Sequence, residues 1–82
     1  MSKYLVNVVP IGEGTINEIG SFYAENDIEA KQIFYQIACS YFSKNLSQYN
    51  SLDLSYITKD GQQYSKQFAQ IVNQEIKFSD WK

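Results

Sequence analysis

The 82-residue sequence contains no histidine, and all seven of its basic residues are lysine, so arginine is absent as well. Cysteine, proline and tryptophan occur once each. Without histidine, a serine or cysteine nucleophile lacks its usual base. The same gap, beside a lone cysteine, leaves no Cys/His set for zinc or iron. Without arginine, bidentate recognition of guanine and phosphate is missing, which argues against a sequence-specific duplex reader. Cys39 has no partner in the chain for a disulfide, so a reducing compartment fits. No apolar run approaches the roughly 20 residues that cross a bilayer. The segment Tyr4-Leu5-Val6-Asn7-Val8-Val9 is too short for a signal core and is interrupted by Asn7, with Pro10 behind it. Asn45-Leu46-Ser47 matches a glycosylation acceptor, but no secretory signal accompanies it. The expected location is the cytoplasm.

What the chain does have is a globular composition, 44% hydrophobic and 20% charged, with seven tyrosines and five phenylalanines. One domain of this size buries only about 60–65% of the surface of its unfolded chain. Large aromatic side chains, each able to bury about 150–250 Å², are the substitute for missing cross-links. The charge of −2 is unevenly spread. Residues 10–30 hold Glu13, Glu18, Glu25, Asp27 and Glu29 with no lysine, whereas lysines outnumber acids after residue 30.

Residues 4–9 are apolar and largely β-branched, and predict a strand ended by Pro10. Gly12-Glu13-Gly14 supplies a permissive connection. It resembles the start of a phosphate loop but lacks the third glycine, and Glu13 would repel phosphate. Residues 18–24 predict a second strand hairpinned to the first, with Phe22 and Ala24 on one face and Ile19 and Tyr23 on the other. Ala30, Ile33, Phe34, Ile37, Ala38, Tyr41 and Phe42 then fall on one stripe of a helix over 27–44. Asn26 is its N-cap, Glu29 stands in capping-box position, and Lys44 and Asn45 suit its C-terminus. Residues 45–51 are turn-rich. Leu52, Leu54 and Tyr56 alternate with Asp53 and Ser55, a third strand with one packed and one wet face.

After the Lys59-Asp60-Gly61 turn the pattern supports two outcomes. Asp-Gly behind a strand predicts a hairpin and a fourth strand near 62–69. Tyr64, Phe68, Ile71, Val72 and Ile76 instead sit at helical spacing, and that pattern is the fuller of the two. The expected fold is α+β: a small antiparallel sheet of three or four strands on one main helix, a ββαβ core, with residues 62–76 forming a further helix or strand. Trp81 is expected to dock on the domain. Leu5, Val9 and Ile57 would need cover from the C-terminal segment, a second copy of the chain or a target.

Few constellations carry chemistry. Ser79 and Lys82 match a Ser-x-x-Lys spacing, but within the last four residues of the sequence. Cys39 flanks the helix stripe and reads as a small hydrophobe. Glu25, Asp27 and Glu29 lack the loop pattern of a calcium site, and helix-start electrostatics already explains two of them. No metal or cofactor is implied. The tyrosines are stacking platforms or partner anchors where they are not the rim of the core. Tyr56, Lys59, Tyr64 and Lys66 form the one arrangement compatible with single-stranded nucleic acid.

The order strand, glycine loop, strand, capped helix (Asn26-Asp27-Ile28-Glu29-Ala30-Lys31), strand and Lys59-Asp60-Gly61 turn resembles small phage-encoded inhibitors such as anti-CRISPR proteins, over residues 4–61 in outline. The resemblance implies a non-enzymatic protein, in the host-cell cytoplasm if phage-encoded, that occupies a nuclease or its nucleic-acid site. The expected function is a protein-binding inhibitor or adaptor. It would set an acidic, tyrosine-bearing face of Glu13, Glu18, Tyr23, Glu25, Asp27 and Glu29 against a basic target surface. A homodimer is compatible with this, a membrane is not expected, and the alternative is a single-stranded nucleic-acid accessory protein using the Tyr56 group.

Overall fold

The computed structural model describes residues 1–10, 17–44 and 50–80. Five strands and one helix follow in the order β1 (Ser2–Pro10), β2 (Asn17–Ala24), α1 (Asp27–Lys44), β3 (Asn50–Ile57), β4 (Gln63–Val72) and β5 (Glu75–Asp80). The strands make one sheet, ordered β2-β1-β3-β4-β5 and antiparallel throughout. The fold is α+β as expected, with five strands in the sheet where three or four were expected, the C-terminal segment supplying strands. The Gly12-Glu13-Gly14 connection, Glu13, Asn45, Tyr49 and Trp81 lie outside the described residues.

α1 spans the same residues that its periodicity predicts. Asn26 Oδ1 accepts the Glu29 backbone N–H at 2.9 Å, satisfying one of the donors that a helix start leaves open. Asp27 and Glu29 stand in the first turn and Lys44 in the last, each complementing the helix dipole. Ala30, Phe34, Ala38 and Phe42, four residues apart, are fully buried. The two alanines bring the helix backbone close to the sheet, and the two phenylalanines fill the space between. They meet Tyr4, Val6 and Val8 of β1, Leu52 and Leu54 of β3, and Ala24 and Ala69. Burying a side chain such as Phe34 contributes about 1.5–3 kcal/mol.

The helical reading of residues 62–76 is overturned. Gly61 adopts φ +83°, and its N–H donates to the Thr58 carbonyl at 3.0 Å. The Thr58 N–H donates to the Gln62 carbonyl at 2.9 Å, so the chain reverses and Ile57 faces Gln63. A second reversal follows at Asn73 and Gln74, whose φ values of 52° and 67° no right-handed helix accommodates. Ile71 then stands directly opposite Ile76, and Ala69 opposite Phe78. The apolar residues spaced like a helix thus divide between two faces of β4 and β5. They widen the sheet beneath α1, and the strands do not form a second cover: Ile71, Ile76 and Phe78 pack on the helix side.

Two register shifts alter which face a residue takes. Between β1 and β2, Val6 pairs with Gly20 and Asn7 with Glu18, leaving Ile19 as the extra residue of a bulge. Ile19 therefore does not share the far face with Tyr23, but lines a groove with Ile33, Ile37 and Tyr41 of α1. Between β3 and β4, Lys66 is the extra residue, since Leu54 pairs with Gln67 and Ser55 with Ser65.

Candidate interaction surface

The acidic stretch is divided by the fold. β2 is an edge strand: Asn17, Glu18, Ile19, Gly20, Ser21 and Tyr23 are all exposed, and β1 is its sole hydrogen-bonded neighbour among the described residues. Glu18 stands opposite Asn7, and Tyr23, 59% exposed, opposite Lys3, both on the face away from α1. Glu25 is exposed just beyond the strand, and Glu29 lies in the first helical turn. Asp27 is committed internally. Its Oδ1 accepts the Tyr4 hydroxyl at 2.7 Å, and Lys66 Nζ lies 3.5 Å from Oδ2. The Tyr4 hydrogen bond, ahead of the Lys66 charge, holds the Asp27 carboxyl below its ordinary range. Burial, then the bond to Asp27, pushes the Tyr4 hydroxyl well above the usual tyrosine value.

The fold brings three of the four alternative nucleic-acid residues together. Tyr56 and Tyr64 are cross-strand partners, and Lys66 Nζ lies 5.4 Å from the Tyr56 ring centre. Tyr4 stacks on Phe22 with centroids 5.7 Å apart and tilts against Tyr56 at 5.5 Å. The Lys66 ammonium is shared between Asp27 and the Tyr56 ring, so its charge is already partly answered. Tyr64 keeps an exposed ring and donates its hydroxyl to Gln62 Oε1 at 2.6 Å. Lys59 is exposed in the turn that follows β3.

The sheet face opposite α1 holds a feature that the sequence reading missed. Asp53 and Ser55 do not form a wet face but are 7% and 0% exposed, and Asn7 is 3% exposed beside them. Asn7 Nδ2 donates to Asp53 Oδ2 at 3.4 Å and to Ser55 Oγ at 3.2 Å. The Ser55 hydroxyl donates to the same Oδ2. These three side chains sit at the centre of the sheet beside an open hollow of about 610 Å³ lined by Leu5, Asn7, Glu18, Asp53, Gln63 and Ser65. The sequence signal was Asn7 itself, a polar residue inside an otherwise apolar strand, at the register of Asp53.

Among the described residues, no three His, Cys, Asp or Glu side chains gather as a metal site, and no helix is long and apolar enough to cross a membrane. No family model matches the chain, and no curated protein or solved structure matches it.

Proposed function

We propose that this chain is a non-enzymatic protein-binding module, an inhibitor or adaptor, which sets the β2 side of its sheet against a basic surface of a target protein. One observation carries the reading: β2 is an edge strand exposed along most of its length, with β1 as its only partner strand among the described residues and acidic and aromatic side chains around it. Free strand edges invite pairing with another chain, and natural proteins usually cover or distort them. The Ile19 bulge distorts part of this edge, while the segment from Gly20 to Tyr23 stays in regular register with β1. An extended segment added there would gain main-chain hydrogen bonds, with Glu18, Tyr23 and Glu25 selecting basic side chains.

The test is capture of proteins by the full chain from lysate, compared with the variants Glu18→Gln and Tyr23→Ala/Glu25→Gln. The expected result is a protein with a basic surface, released by salt and lost with the double variant. Retention unaffected by these changes, or recovery of nucleic acid that depends on Tyr56, Lys59, Tyr64 and Lys66, would reject the reading.

A further inference from the structure

We propose that the hollow on the helix-free face is a socket for one cationic side chain, lysine or arginine, presented by the partner. The inference rests on the reading of the chain as a binder of basic surfaces, and it names the anchor of that contact.

Asp53 carries a carboxylate with no cation paired to it among the described residues. A buried carboxylate is stable when it is paired with a cation or fully hydrogen-bonded. Asp53 is more than nine-tenths buried, yet its donors are the neutral Asn7 amide and Ser55 hydroxyl, and both bond to Oδ2. Its Oδ1 receives no hydrogen bond among the described residues and belongs to the side chain that lines the hollow. Among the described residues, no lysine lines that hollow. Lys31, Lys66 and Lys77 are paired with Asp80, Asp27 and Glu75. Lys3 shares the face but sits two cross-strand rows away, opposite Tyr23.

The remaining lining fits the stem and head of a long basic side chain. Leu5 offers an apolar wall for methylenes, while Glu18 at the exposed rim adds a second negative charge. Gln63 and Ser65 provide neutral acceptors for the other N–H groups. Because Asn7, Asp53 and Ser55 come from the paired inner strands β1 and β3 and fix one another, the socket is already formed before binding. Glu18 also connects it to β2, so one extended segment lying on that edge can reach inward to Asp53.

Amide shifts of the full-length, isotope-labelled chain test the proposal. The probes are butylammonium and methylguanidinium, then blocked tripeptides whose central residue is lysine, arginine or norleucine, and finally calcium chloride. Saturable shifts are expected at Leu5, Asn7, Glu18, Asp53 and Ser55 with the lysine and arginine peptides. They should be weakened about tenfold or more in Asp53→Asn, a shape-conserving change. Glu18→Gln, at an exposed position that leaves folding intact, should weaken them by about two- to fourfold. Equal shifts with norleucine, no localised shift, or unchanged affinity in both variants would overturn the proposal. So would tighter binding of the free amines than of the peptides, or the same shifts with calcium. Tyr23→Ala/Glu25→Gln should keep these shifts even where it abolishes capture, which separates failure of the socket from failure of the β2 contact.

Discussion

Tyr4 in the first strand donates its hydroxyl to Asp27 Oδ1 at 2.7 Å, tying the sheet to the first turn of the helix across 23 residues of sequence. The Tyr4 ring is buried in the core beside Phe22 and Tyr56, and its hydroxyl reaches the first turn of the helix. Tyr4→Phe keeps the ring packing and removes that bond. A hydrogen bond to a charged group contributes about 1.5–3 kcal/mol, and the half-exposed Asp27 carboxylate places this one at the low end. Urea unfolding is expected to show a loss of about 1–1.5 kcal/mol for the variant, with an unchanged slope.

The same pair gives the fold a pH dependence with two limbs. The Asp27 carboxyl titrates below its ordinary range in the folded chain. Its contribution is therefore complete above about pH 4 and is lost as pH falls through the lower folded value. The Tyr4 hydroxyl titrates above its ordinary range, so its contribution is complete below about pH 10 and is lost as pH rises beyond that. Stability measured against pH should fall at both ends, and Tyr4→Phe should flatten both limbs. An acid limb as steep in the variant as in the parent would show that other carboxylates set it.

Capping offers a simpler prediction. The Asn26 side chain satisfies the Glu29 N–H, and no other described side chain does so. Asn26→Ala should lower stability by about 1 kcal/mol, and Asn26→Ser should recover most of it. Thermal unfolding followed by circular dichroism reads both changes.

Both turns of the C-terminal meander contain a left-handed position that favours glycine. Asn73 and Gln74 both have positive φ between the paired residues Val72 and Glu75, a two-residue loop of the type that favours Asn-Gly. Gln74→Gly should stabilise the protein by about 0.5–1 kcal/mol. At Gly61 the added methyl of alanine would meet no atom within 4 Å, yet φ is +83°. Gly61→Ala should therefore destabilise by about 1 kcal/mol through backbone strain alone.

Within the core, Phe34 and its neighbour Tyr35 share a contact with Phe78 but differ in burial. Phe34 meets the Phe78 ring edge-on with centroids 6.1 Å apart and is fully buried, while Tyr35 stacks on it at 5.1 Å and is 55% exposed. Phe34→Ala should cost about 3–5 kcal/mol, enough to unfold much of a domain with this stability margin. Tyr35→Ala should cost about 1 kcal/mol. Equal losses in denaturant titrations would mean that the Phe78 contact outweighs burial.

The sequence disclosed α1 most fully, because amphipathic spacing, an Asn cap and terminal charges all agree on residues 27–44. β1 and β3 were readable for a similar reason: their β-branched and alternating residues allow few other conformations. β4 and β5 were not. Phe68, Ile71 and Ile76 satisfy a helical stripe by coincidence, and the deciding signals are the left-handed Asn73 and Gln74, which carry no glycine to announce a turn. Asp53 and Ser55 were misread because alternation predicts a solvated face only when that face is flat and its neighbours are small. Here Leu5, Asn7 and the row from β4 crowd around them. Bulges are equally silent in sequence, so the turn of Ile19 toward the helix was not foreseeable.

The pairing of β1 with β3 joins segments 46 residues apart, as at Asn7 and Asp53, whereas every other ladder links neighbouring strands. Local hairpins close cheaply, while this seam must wait for a long excursion of chain to come back. Folding speed should accordingly be set by one zipper at the middle of the sheet. The same zipper is a natural parting line: residues 1–44 and 50–82, made as two polypeptides, each keep their own ladders and meet along it, which suits this fold to reconstitution from halves.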